Sequence, residues 1–178
     1  QDYSQGRAFY DHRYFPTASE LEKSLAVAQQ GRRAEPDNCF FDMVAAEIQF
    51  AMGRDSEALQ VLHEGAQKAR YDDHVMSGVR ARLYAAELQR PLLLEEKQAI
   101  WASALFPHLS HHRKLARFAA RRAAQIARDG DHQYALKIYQ DIMRLGARMR
   151  EVKSFKISSL VGRAMQYIAW SRTLAPNS

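Results

Sequence analysis

Residues 36–70 read PDNCFFDMVAAEIQFAMGRDSEALQVLHEGAQKAR, and the organisation of the whole chain follows outward from them. Pro36 and Asp37 interrupt one helical pattern, and Asn38 is the expected cap of the next. Phe40, Phe41, Met43, Val44, Ile48, Ala51 and Met52 cover so much of the helix circumference that it should be buried on more than one side. Gly53 permits a tight turn, and Asp55 or Ser56 is placed to cap a second helix. In that helix Ala58, Leu59, Val61, Leu62, Gly65, Ala66 and Ala69 share one face, opposite Glu57, Gln60, Glu64 and Lys68. The stretch therefore predicts an antiparallel helical hairpin.

The same 3.6-residue periodicity extends in both directions. Before the hairpin, Thr17 or Ser19 is the expected cap of a helix running to about Arg33, with Glu20 and Glu22 favoured by its dipole and Leu21, Leu25 and Ala28 on its apolar stripe. Residues 1–16 carry Tyr3, Phe9, Tyr10, Tyr14 and Phe15, too aromatic for a free tail, and should pack on the helices. After Tyr71-Asp72-Asp73, a helix is expected over about 74–90, with Val75, Met76, Val79, Leu83, Tyr84, Ala86 and Leu88 inward. Pro91 suits the first turn of another, ended by Pro107. Further helices follow over about 110–128, 132–150 and 152–174. The last has Phe155, Leu160, Val161, Met165, Ile168 and Trp170 as its apolar positions, and residues 175–178 should fray. No run alternates as strands do. The expected class is all-α, a single domain of eight or nine helices joined by short turns.

Self-comparison finds a second copy of the central pattern. AMGRDSEALQVLHEGA around Gly53 and ARDGDHQYALKIYQDI around Gly130 share a glycine, an acid, an alanine and a larger residue in the same order. Ala58 and Ala135 each follow their glycine by five residues, and Leu62 and Tyr139 come four later. This resembles the second half of a tetratricopeptide repeat. Ala46 and Ala123 match the small residue of its first helix, and Pro36 matches the proline that ends a repeat. Asp42 and Ala119 stand where the family has an aromatic residue, and the two glycines are 77 residues apart where two repeats would give about 68. The resemblance implies an α-α helical array, a non-catalytic scaffold that binds a protein or peptide, and no catalytic residue.

Charge is divided unevenly. Residues 1–107 hold 12 Lys and Arg against 16 Asp and Glu; residues 108–178 hold 14 against 4. The split points to an anionic partner for the second half, or to self-association between copies of opposite charge. Projected at 100° per residue, Arg113, Lys114, Arg117, Arg121 and Arg128 gather opposite Leu115, Phe118, Ala119, Ala123 and Ile126. Only Arg122 falls beside the apolar side, where it must snorkel or find an acid. Such a stripe suits phosphates or an acidic peptide, although a solvated helix face explains it as well. No stacking aromatics interleave with the basic residues, so single-stranded nucleic acid is the less favoured target.

Nothing in the chain suggests catalysis or a cofactor. His108 and His112 are four apart, but Pro107 and Ser110 place His108 before the helix, and a surface histidine cluster is expected rather than a metal site. Asp72-Asp73 and Glu95-Glu96 sit at helix starts, where capping accounts for them. Ser158 and Ser159 lack nucleophile-elbow glycines and, with Gly162 and Ala164, suggest close helix contact. No phosphate loop or dinucleotide fingerprint occurs. The single Cys39 excludes an internal disulfide and reads as a packed residue. One thiol favours a reducing, cytoplasmic compartment, with a periplasmic or membrane-tethered setting the alternative. No stretch has the length and apolarity of a membrane span. A start at Gln1 predicts a segment processed or excised from a longer chain.

Overall fold

The computed structural model describes residues 16–104, 106–152 and 156–174. Among them the fold is all-α, with α1 (Ala18–Ala34), α2 (Phe40–Ala51), α3 (Asp55–Ala66), α4 (Val75–Glu87), α5 (Leu94–Ala102), α6 (Pro107–Arg128), α7 (His132–Glu151) and α8 (Lys156–Leu174). No strand occurs among the described residues beyond one isolated bridge between Asn38 and Arg70. The expectations for the aromatic residues of 1–15, for Phe155 and for fraying at 175–178 lie outside the described residues. The chain divides into two compact units, Gln1–Asp72 with Leu109–Ser178, and Asp73–His108.

In the first unit the α2–α3 hairpin turns at Gly53, whose φ of 72° only glycine adopts without strain. The Gly53 N–H donates to Phe50 O at 3.0 Å and the Arg54 N–H to Gln49 O at 2.9 Å, so the last carbonyls of α2 are satisfied. The α6–α7 hairpin repeats this turn at Gly130, φ 102°, with Gly130 donating to Ala127 O and Asp131 to Ile126 O, each at 3.1 Å. Ala46, Ala58, Ala123 and Ala135 are buried in both hairpins, as are Leu62 and Tyr139 one turn on. The four alanines let each pair of helices approach closely.

The base of the α2–α3 hairpin is clasped. Cys39 N–H donates to Arg70 O at 2.9 Å, and Arg70 N–H donates to Asp37 O at 3.1 Å. Asn38, fully buried, accepts from Phe40 N–H and Asp72 N–H and donates to Asp72 O at 2.9 Å. It therefore joins both ends of the hairpin rather than serving as the N-cap, a position held by Cys39. Asp55 and Ser56 do not cap α3 either: α3 begins at Asp55, and no side chain caps it. Thr17 caps α1 as expected, in a reciprocal box with Glu20.

Asp42, where the repeat pattern has an aromatic residue, is fully buried. Arg32 Nε lies 2.7 Å from its Oδ1 and Lys68 Nζ lies 2.6 Å from its Oδ2, so α1 and the segment after α3 neutralise it together. Farther along, α3 meets α7 through His63 Nδ1 and Asp141 Oδ2 at 2.9 Å. At the α7–α8 contact the backbones nearly touch. A Cβ on Gly146 would lie 2.6 Å from Gly162 O, and one on Gly162 would lie 2.4 Å from Gly146 O. Ser158, Gly162, Met165 and Ala169 form the buried stripe of α8, leaving Leu160 and Trp170 exposed where the periodicity placed them inward. Small residues beside Met165 decide which side of α8 packs, and Leu160, Tyr167 and Trp170 face solvent.

The second unit is built differently. Val79 is the buried residue of α4 and α5 has none, whereas Tyr84 and Leu88, expected to face inward, are exposed. Pro91 lies before α5 rather than in its first turn, because that helix begins at Leu94 with Glu96 accepting the Leu93 N–H at 2.9 Å. Arg90 pairs with the same carboxylate, and these two contacts draw Glu96 down to a pKa of about 2.

Candidate functional site

The sequence nominates α6, and its placement follows from its own periodicity. Leu115, Ala116, Ala119, Ala120 and Ala123 bury one face; Arg113, Arg117, Arg121 and Arg128 are exposed on the other and Lys114 is half-buried. Tyr139 of α7 donates its hydroxyl to Ala120 O at 3.4 Å, and Phe118 sits 6.3 Å from Phe50 of α2, centroid to centroid. The apolar face is thus held by α2 and α7, and the cations have no route inward.

Pairing separates these cations from others of the second half. Arg144 meets Asp141 at 3.7 Å, Arg148 meets Glu151 at 3.2 Å, and Arg122 finds Asp55 at 3.6 Å, the acid its position required. Among the described residues, Arg113, Arg117, Arg121 and Arg128 have no carboxylate partner. Arg128 donates to Gln125 Oε1 at 2.7 Å, and the Arg121 guanidinium lies 5.4 Å above the centroid of the Phe118 ring.

Two grooves flank this face. The first, about 300 Å³, is lined by Phe50, Asp55, Phe118, Arg121, Arg122, Gln125 and Arg128. It has aromatic rings, both signs of charge and an amide. The second, about 280 Å³, lies between α6 and α8 and is lined by Arg117, Ala120, Arg121, Tyr167, Ile168, Ser171 and Arg172. Among the described residues its lining holds three arginines and no acid. Arg121 borders both grooves, whereas Arg113 and Lys114 line neither. Phe50 and Gln125 of the first groove, and Tyr167 and Arg172 of the second, escaped the sequence reading because they reach α6 from other elements or other turns. One signal was available: α8 has no Asp or Glu along its whole length.

The histidines are not a surface cluster. Pro107 opens α6, where its missing N–H goes unneeded, so His108 is inside the helix rather than before it. His108 Nε2 pairs with Asp73 at 2.9 Å. His112 is fully buried with Nδ1 2.6 Å from Glu47 Oε1, and the rings of Phe40 and Tyr71 stand edge-on 5.9 Å away. Their different partners explain why an i, i+4 pair does not converge on one point. Among the described residues no group of three His, Cys, Asp or Glu side chains is placed to hold a metal ion. Cys39 is buried and its thiol is pushed up to about 12, first by burial and then by the charge of Asp42, so it stays protonated near neutrality. No described helix is long and apolar enough to cross a membrane. Compared with known proteins, no family model, no curated protein and no solved structure matches the chain.

Proposed function

We propose that this chain is a non-catalytic, tetratricopeptide-like helical scaffold that binds a segment of another protein along α6. The observation that carries the reading is the first groove, an aromatic floor of Phe50 and Phe118 rimmed by Arg121, Arg122 and Arg128. An extended peptide with an apolar anchor and flanking carboxylates complements such a site: the anchor desolvates the rings while the carboxylates take charge-assisted hydrogen bonds from guanidinium groups. Gln125, Asp55 and the free rims of the helices add polar contacts that discriminate among sequences. The repeated hairpin turn at Gly53 and Gly130, each with a positive-φ glycine and buried alanines at matching positions, supports the repeat-scaffold reading.

Selection from a displayed library of random short peptides tests this. Binders are expected to enrich for Asp or Glu around an apolar residue and to lose affinity on Arg128→Glu. No enrichment, or binders indifferent to Arg128→Glu and to Phe118→Ala, would defeat the proposal.

A further inference from the structure

Helix α4 carries charge only on its flanks. Val75, Met76, Val79, Leu83 and Ala86 form its inner side, where Val79 is fully buried and the others are half-buried. Ser77, Gly78, Ala81, Tyr84, Ala85 and Leu88 share the opposite side, and all of them are exposed. Tyr84 is 66% exposed and Leu88, which ends the helix, is 70% exposed. Projected at 100° per residue, that outer side holds no charged residue: Arg80 and Glu87 share one flank, and Arg82 takes the other. A helix surface built for water has its charges at the centre of the outer face. One that is uncharged on both sides is built to be covered on both.

The charges on the flank say what covers it. Arg80 stands three residues before Leu83, and Glu87 stands three residues after Tyr84. Two α4 helices laid antiparallel about the Leu83–Tyr84 midpoint therefore bring Arg80 of each copy opposite Glu87 of the other, along one edge of the contact. Glu87 already holds Lys97 Nζ at 2.6 Å through Oε1, which leaves its second oxygen for the arginine. The same register matches large side chains to small ones. Leu88 falls over Gly78 and Ala81 of the other copy, and Tyr84 falls beside Ala81 and Ala85. Among the described residues, nothing beyond its own stretch of helix lies within 4 Å of a Cβ built on Gly78, so that space is open to a leucine. A parallel pair would instead set Arg80 against Arg80 and Tyr84 against Tyr84. We infer that α4 is a self-association surface, on which a second copy of this chain docks antiparallel across a two-fold axis. The 13 residues of α4 span about 20 Å, and a contact of that length falls below the roughly 1,200 Å² of stable complexes. The dimer is therefore weak and reversible.

Sedimentation equilibrium of the whole chain between about 5 and about 500 µM tests this, with circular dichroism to check that each variant is folded. A monomer–dimer equilibrium is expected. Leu88→Glu and Ala81→Glu, both at exposed positions, should leave the spectrum unchanged and the protein monomeric throughout. Arg80→Glu should weaken association about tenfold, and Glu87→Arg likewise, because each sets like charges together twice in the dimer. Mixed in equal amounts, these two charge variants should pair with each other as the unmodified chain pairs with itself, since each then meets its opposite. A monomer at every concentration, or a dimer indifferent to Leu88→Glu, would overturn the inference. So would a dimer that Leu88→Glu breaks but in which the mixed charge variants fail to pair. None of these outcomes touches Arg128 or Phe118, so the peptide reading of the α6 groove stands or falls separately.

Discussion

The α2–α3 and α6–α7 hairpins share a glycine turn and buried alanines at matching positions, yet they dispose of charge in opposite ways. The first turns acids inward: Asp42 is buried between Arg32 and Lys68, and Glu47 against His112. The second leaves cations outward, with Arg113, Arg117, Arg121 and Arg128 all in solvent on α6. The hairpin itself demands little beyond a residue that tolerates positive φ and small side chains at the crossing. Other positions can carry charge in either direction, provided that a buried charge finds partners. In one hairpin that freedom serves cohesion among α1, α2, α3 and α6; in the other it leaves arginines of α6 in solvent.

The largest effect expected from breaking this contrast is at Asp42. Asp42→Ala strands Lys68 and leaves Arg32 with Glu64 alone, and should cost about 3–5 kcal/mol in urea unfolding, as removal of one buried ion-pair member does. A loss below about 1 kcal/mol would mean that water already neutralises the site. Overpacking comes next. Ala46→Leu and Ala123→Leu should each destabilise by about 1–3 kcal/mol, and similar costs at the two sites would show that the crossings are equivalent. Smaller again are the turns: Gly53→Ala and Gly130→Ala force a Cβ into positive φ and should cost about 1–2 kcal/mol, with no steric addition because open space surrounds both positions.

Asp141 gives a pH-dependent counterpart to Asp42. Burial raises its pKa above the ordinary 3.8, against the lowering effect of its hydrogen bond to His63. The folded state therefore holds this proton more tightly than the unfolded one. Its contribution favours folding fully below the ordinary carboxylate value and is lost as pH rises through the raised one. In a His63→Gln background, Asp141→Asn should flatten stability against pH across that window; an unchanged profile would break the assignment. The smallest expected change is on α6, where Arg117→Glu and Arg128→Glu should shift the melting free energy by no more than about 0.5 kcal/mol while altering binding. A larger loss would identify these arginines as structural.

Much of the architecture was legible along the chain because its signals are local. Gly53, Gly130 and Thr17 act through their own backbone or a neighbour three or four residues away, and the periodicity of Leu115, Ala119 and Ala123 needs only the helix to be read. Reading failed where the partner is distant. Asn38 resembles an N-cap until Asp72 arrives beside it, and His112 resembles a surface residue until α2 supplies Glu47. Leu160 and Trp170 resemble core residues until Gly146 and Gly162 draw α8 in by its small side.

The candidate site divides along the same line. By itself the sequence determined an all-α chain with a repeated hairpin and a helix whose cations fall opposite its apolar face, since spacing of 3.6 residues and intrinsic turn preference are properties of short segments. Only the tertiary structure decided that Arg122 is answered by Asp55, that Arg121 stands between two grooves, and that Tyr167 and Arg172 line the second of them. Those outcomes depend on which helices meet and on which face. That is settled by a few close contacts among small residues, whose partners lie tens of residues away.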